Sequence, residues 1–280
     1  MADELMRAGT ETAAIVPEIW SAKFYDVLLA ELPFNESVSR EYEGEIQNLG
    51  DIVNISSVPE FDEAQNIAED QRNDAEAVTI TGQQLTINKR FAKDFIVTKR
   101  SQLQSLPFMD QVRDKAIYSI MKAMQSQIIT DTVPSAAAPD HQIAYDSGTT
   151  LALADMLEAK ELLDAQNVPS MMRKSIVGSA QLNDLFNITS FNSKDFIPAG
   201  SPQSSGVFDT PLLGFDVRWT TEVGTTSYFF HPSYMTMAIQ DQLSVSVYDL
   251  GVDGKRAARV NVDLLAGFKQ LDDERVVTIS

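Results

Sequence analysis

Two histidines, 40 acids and no cysteine bound the chemistry open to this 280-residue chain. Without cysteine there is no disulfide, thiolate zinc site, iron–sulfur cluster or cysteine nucleophile. His141 follows Asp140, as in an acid–base dyad, but it lies in a proline-bounded loop with no nucleophile in a recognisable frame. It reads as a solvated loop histidine. His231, between Phe230 and Pro232, reads as a hydrogen-bonded packing residue, since a zinc site here would need carboxylate help. The segment 249–254 lacks the oxygen ladder and closing glutamate of a calcium loop and reads as a turn. Asp272, Asp273 and Glu274 read as a water-facing turn, and Asp155, Glu158 and Glu161 as one polar helix face. Among 40 acids, pairs suited to glycoside hydrolysis carry no weight. There is no P-loop, dinucleotide fingerprint, nucleophile elbow or HExxH. The expectation is a protein that is not an enzyme and has no catalytic residues, metal or cofactor.

The charges are more informative. Forty acids against 22 bases give a net charge of -18. That disfavours sequence-specific nucleic-acid binding, which must neutralise phosphates, and docking on anionic lipid. Eleven acids and a single base, Arg72, lie between Glu41 and Glu76. The sign then inverts at Lys89, Arg90, Lys93, Lys99 and Arg100, with Asp94 among them. Opposite blocks on one chain can pair between copies and set orientation and register. Candidate inter-subunit contacts are therefore Glu60, Asp62, Glu63, Glu69 and Asp70 on one side, and Lys89, Arg90, Lys93, Arg100 and Arg113 on the other.

The elements that carry these charges follow from periodicity. Residues 16–32 predict an amphipathic helix, with Pro17 in its first turn and Pro33 ending it; it packs on its own core or reaches a neighbour as an arm. Strand-like segments 51–58 and 78–98 flank the acidic stretch and predict a long hairpin with an acidic tip. At about 3.3 Å per residue, 15–20 residues of strand reach about 50–65 Å, beyond a compact domain of this size. Such a hairpin either seeks a surface outside its parent core or folds back on its own sheet. The apolar phase flips at Gly82, from Val78 and Ile80 to Leu85, Ile87, Phe91, Phe95 and Val97, which suggests a bulge or twist. Residues 106–131 predict the clearest helix, with Met109, Val112, Ala116, Ile117, Ile120, Met124 and Ile128 on one stripe and Ser105 as its cap. After a Pro/Ala/Gly/Ser connection at 132–150 come a helix over 152–166, a short strand at 175–178, a helix over 180–186 capped by Ser179, and a loop-rich 188–210. The rest is mostly strand: 212–223 with a break at Gly214, 228–240, 243–248, 260–268 and 275–279. No run approaches the roughly 20 apolar residues that span a bilayer. The opening MADELMRAGTETAA is no secretory signal. The chain is expected to be soluble and made in a cytoplasm.

The ordered set of VPEIWSAKFYDVLLAELPF, NLGDIVNISSVPEF, LTINKRFAKDFIVTKRSQLQS, DQVRDKAIYSIMKAMQSQIITD, KSIVGSAQLNDLF, TPLLGFDVRWTTEV and ARVNVDLLAGFKQLDDERVVTIS resembles a major capsid protein of a tailed bacteriophage. The resemblance covers about residues 14–280. It implies an α+β fold with an N-terminal arm (1–40), an extended loop lying across a neighbour (41–100), a peripheral domain (101–150 and 236–280) with a long spine helix and long β-sheet, and an axial domain (151–235). It implies pentamers and hexamers closing an icosahedral shell around packaged double-stranded DNA, held non-specifically. Partners would be further copies, a separate scaffolding protein, a portal and, in a decorated shell, a decoration protein, with no membrane. The location would be the virion capsid, assembled in the host cytoplasm. The chain begins almost at the arm: as a full gene product, which Met1 favours, it would take a separate scaffolding protein, and as a matured fragment it would have lost a cleaved segment. No lysine–asparagine cross-link motif is matched. The alternative of the same fold is an encapsulin, a nanocompartment around cargo enzymes. A carboxylate enzyme and a surface adhesin or tail component are the remaining classes.

Overall fold

Helix and strand alternate here because the apolar period alternates between 3.6 and 2. The computed structural model describes residues 33–45, 52–58, 64, 66, 77–98, 106–192, 208, 211–250 and 257–280, with the backbone alone for 45, 106–114, 192 and 242. The expected arm helix, the acidic tip apart from Ala64 and Asn66, Ser105 and most of the loop 188–210 lie outside the described residues. Pro33 opens a helical turn, α1 (Pro33–Ser37), and Phe34 is fully buried there. Its ring stacks on Phe230 at 6.1 Å and meets Tyr228 edge-on at 5.6 Å.

The long helix α2 (Leu106–Asp131) spans the expected residues, and Ala116, Ile117, Ile120, Met124 and Ile128 are all buried. Met121 fills the core beside them. The stripe packs on a three-stranded antiparallel sheet of order β3 (Lys89–Thr98), β9 (Ala257–Gln270), β8 (Met235–Asp249). Val97, Val260, Val262, Leu264 and Ala266 fill the helix side of that sheet. Strict alternation in β9 makes this possible: the even residues face the helix and the odd ones face away. The segments read as 228–240 and 243–248 divide differently. Pro232, with no N–H to give a ladder, opens a 3-10 turn at Pro232–Tyr234. Strand β8 then runs on past two register shifts between Ile239 and Ser244.

A five-stranded sheet holds the middle of the chain, in the order β4 (Gln142–Ile143), β10 (Val276–Ile279), β7 (Ser227–Phe230), β5 (Lys174–Val177), β6 (Asp216–Trp219). The closing strand thus pairs with β7 instead of joining the long sheet, because Val276, Val277 and Ile279 are buried on both faces. Helices α3 (Leu153–Ala165), α4 (Ser179–Asn187) and α5 (Thr189–Asn192) supply much of the second core, around Met156, Leu163, Leu185 and Phe229.

Four further expectations are corrected. Helix α4 begins at Ser179 with Gly178 as its N-cap, because the Gly224 carbonyl occupies the space a Cβ at 178 would need. Asp155 is not on a solvated face: it is fully buried, accepting from the Ala152 N–H at 2.8 Å and the Asp146 N–H at 3.2 Å at the start of α3. His141 is not a solvated loop histidine. Its carbonyl accepts from the Thr278 N–H at 2.9 Å, and its Nδ1–H donates to the Val276 carbonyl at 3.1 Å, so sheet pairing draws it fully inside. The hairpin is much shorter than its apolar run. β1 (Ile52–Ser57) pairs with β2 (Thr81–Thr86) over six residues, about 20 Å, while β3 turns away to pair with β9. The register runs through Ser56 and Gly82 without a bulge. His231 packs as expected, its Nδ1 accepting from the Ser233 N–H at 3.3 Å. Burial, then the charges of Arg275 and Arg173, lowers its pKa.

Candidate assembly surface

The hairpin is two-faced. Val53, Ile55, Leu85 and Ile87 point to one side and are buried with Ala238, Tyr42, Leu265 and Leu271. Leu265 belongs to the odd face of β9, so the hairpin base lies across the side of the long sheet that the spine helix leaves bare. Gly267 allows this approach. A Cβ there would meet the Thr86 carbonyl oxygen at 2.6 Å and Ile87 Cα at 3.0 Å. The Gln83 amide donates to the Leu271 carbonyl at 2.7 Å and pins the crossing.

The hairpin covers only part of this face. Beyond it, odd-phase β9 residues Asp263, Asn261 and Arg259 sit between β3 residues Ala92, Asp94 and Ile96 and β8 residues Ser244, Ser246 and Tyr248. Arg90 Nε donates to Asp263 at 3.0 Å, and Arg259 pairs with Asp94. Burial works against the Asp263 carboxylate, but hydrogen bonds from Ser244 and Arg90 outweigh it and hold its pKa below the usual range. The Arg90 guanidinium is raised by the same bond. Farther out the row Ile96–Arg259–Tyr248 ends in two large apolar side chains, 64% and 56% exposed.

The sequence-stated contacts fall unevenly on this geometry. Lys89 is half-buried at the start of β3, Lys93 is exposed on its helix-side phase, and Arg90 is spent on Asp263 within its own chain. Glu60, Asp62, Glu63, Glu69, Asp70 and Arg100 lie outside the described residues, as does the Arg113 side chain, whose backbone is in α2. Sequence reasoning missed Ile96, Tyr248, Arg259 and Asp263. The available signal was the polar phase of 257–263, Arg259, Asn261 and Asp263 in turn, which implies a second face needing its own cover. Among the described residues no cluster of three or more acids or histidines is placed to hold a metal, and no helix is long and apolar enough to cross a membrane. The arrangement is suited to holding surfaces together.

A family described as phage capsid protein matches residues 105–280. The chain belongs to the phage capsid protein family. It is a structural subunit of a phage capsid, with the α+β capsid fold. Solved structures of that fold extend the likeness beyond residues 105–280. A chain of Mycobacterium phage Che8 is 20% identical, with a TM-score of 0.69, covering 89% of this chain and 91% of that one. The capsid of cyanophage Pam1 is 13% identical with a TM-score of 0.70, covering 86% and 87%. A virus-like particle from Pyrococcus furiosus is 13% identical with a TM-score of 0.55, covering 95% and 99%. None of the curated proteins matches.

Proposed function

We propose that this capsid subunit self-assembles into pentamers and hexamers that close an icosahedral shell around packaged double-stranded DNA. The hairpin, residues 41–100 with their acidic tip, would reach onto a neighbouring copy, and the division into arm, peripheral and axial domains would follow the boundaries given above, with β4 and β10 joining the axial sheet. The observation that carries the reading is the half-covered sheet face: a structural subunit of a shell needs surfaces left open for its neighbours. The role is non-enzymatic, and assembly would take place in the host cytoplasm with a separate scaffolding protein and a portal. A net charge of -18 suits a container wall that repels its DNA and lets it be spooled and released. Negative-stain microscopy of purified protein tests this, with uniform closed particles expected; rings or fibres would overturn it. The likeness to the Pyrococcus furiosus virus-like particle favours a second reading, an encapsulin-type compartment. Nuclease-protected genomic DNA inside the particles supports the first, and an enclosed enzyme the second.

A further inference from the structure

We propose that His231 is an acid-sensitive latch on the joint between the two sheets, released when its ring gains a second proton. The joint lies within one subunit, so the latch works whether or not copies assemble.

The joint consists of two short crossings that lie side by side. One leaves β7 at Phe230, turns through Pro232–Tyr234 and enters β8 at Met235. The other leaves β9 at Gln270 and enters β10 at Val276. Backbone bonds tie the two together. The His231 N–H donates to the Arg275 carbonyl at 3.1 Å, and the Leu271 and Asp272 N–H groups donate to the Tyr234 carbonyl at 2.8 and 3.2 Å. Side chains tie them a second time. Arg275 donates through Nη1 to Ser233 Oγ at 2.8 Å and through Nε to Asp272 at 2.7 Å, and Ser233 Oγ lies 2.7 Å from His231 Nδ1.

Counting donors fixes the state of the ring. The Ser233 N–H can only donate, and it donates to His231 Nδ1 at 3.3 Å, capping the turn. Nδ1 therefore carries a lone pair, and the neutral ring holds its proton on Nε2. A guanidinium has no acceptor, so Ser233 Oγ accepts from Arg275 and gives its own proton to Nδ1. A proton added at Nδ1 would turn it into a donor facing donors, leave the Ser233 N–H without its partner, and set a cation against Arg275 and Arg173. Burial, and then these two charges, lower the pKa of His231. The acids nearby are committed elsewhere. The Asp272 carboxylate accepts from Arg275 and from the Glu274 N–H, and Asp164 is paired with Arg173. Lys174, opposite Phe230 in the ladder, adds a further cation, its Nζ donating to the Glu36 carbonyl of α1.

The folded chain thus favours the neutral ring, and the unfolded chain takes up the proton first as pH falls. The latch is whole above the ordinary histidine value of about 6.5 and is lost as pH falls through the lower folded value. His231→Asn in the full chain tests it, because asparagine accepts at an N-cap and does not titrate. Between about pH 7.5 and about pH 5.5 the thermal midpoint of the parent is expected to fall, and the greater part of that fall to be lost in the variant. No fall in the parent, or an equal fall in the variant, would overturn the latch; the equal fall would point to His141, the other histidine. Hydrogen exchange on the parent chain decides independently, should the variant fail to fold. Going from about pH 7.5 to about pH 5.5, after correction for intrinsic rates, faster exchange is expected in 231–236 and 271–276 and not in α3. Exchange unchanged at the joint, or raised equally in α3, would overturn the proposal.

Discussion

Arg173 shows how one side chain can fix a strained turn. It is buried, donates to the Pro169 carbonyl at 3.0 Å and the Val168 carbonyl at 2.6 Å, and pairs with Asp164 at 2.7 Å. The turn it spans holds Asn167 and Met172 at φ of 54° and 64°. Arg173→Ala removes all three contacts and is expected to cost about 3 kcal/mol, read as a midpoint fall of about 6–10 °C in thermal unfolding. The hydrogen bond from Lys160 is the largest influence on the Asp164 carboxyl; burial opposes it, and the hydrogen bond and charge of Arg173 add to it, so its pKa lies below the usual value. Because the folded value is the lower, this stability is present above the unfolded carboxylate value near pH 4 and is lost as pH falls through the folded one. Stability measured from pH 5 downward should therefore fall less steeply in Arg173→Ala; an unchanged slope would contradict the assignment. Gly267 makes the opposite point, that a missing Cβ can matter as much. Gly267→Ala should cost about 1–3 kcal/mol, because the Thr86 backbone cannot retreat without lifting the hairpin base. Neither role is visible in the sequence, nor are the burials of His141 and Asp155. A polar residue's fate depends on backbone N–H and carbonyl groups brought from remote segments, and the letters do not carry that.

The legible elements were those with one uninterrupted period. The spine helix and β9 are of this kind, and their stripes and alternating residues pack as periodicity dictates. The hairpin is the instructive case. Residues 85–97 keep a single odd apolar phase, yet the chain changes sheets between Thr86 and Lys89. Alternation records which side is buried and is silent on which strand lies alongside, so the return strand read as one long element. The split makes separable predictions. Leu85→Ala opens a cavity under the hairpin base and should cost about 2–5 kcal/mol in chemical denaturation. Val78→Ser with Ile80→Ser, on exposed residues, should leave the unfolding free energy within about 0.5 kcal/mol of the parent and yet impair assembly. Equal loss of stability in both variants would mean that the outer end also rests on its own chain.

At the scale of the whole molecule, two electrostatic effects of opposite sign decide whether copies come together. Each copy carries -18, so subunits repel at long range. Opposite charge blocks, the acids of 60–76 and the bases of 89–100, would attract at short range where copies meet. Salt separates the two, because the screening length falls from about 30 Å at 0.01 M to about 8 Å at 0.15 M and about 3 Å at 1 M. Moderate salt removes repulsion between distant charges while close pairs keep part of their attraction; high salt weakens the pairs as well. Particle yield followed by light scattering should therefore rise and then fall across this range. Deleting residues 60–76 removes seven acids and one base, lowering the negative charge by six and with it the long-range repulsion. If repulsion alone governed assembly, that deletion would promote it. The expectation is the reverse: a subunit that unfolds at the parent temperature and makes no closed shells at any salt concentration.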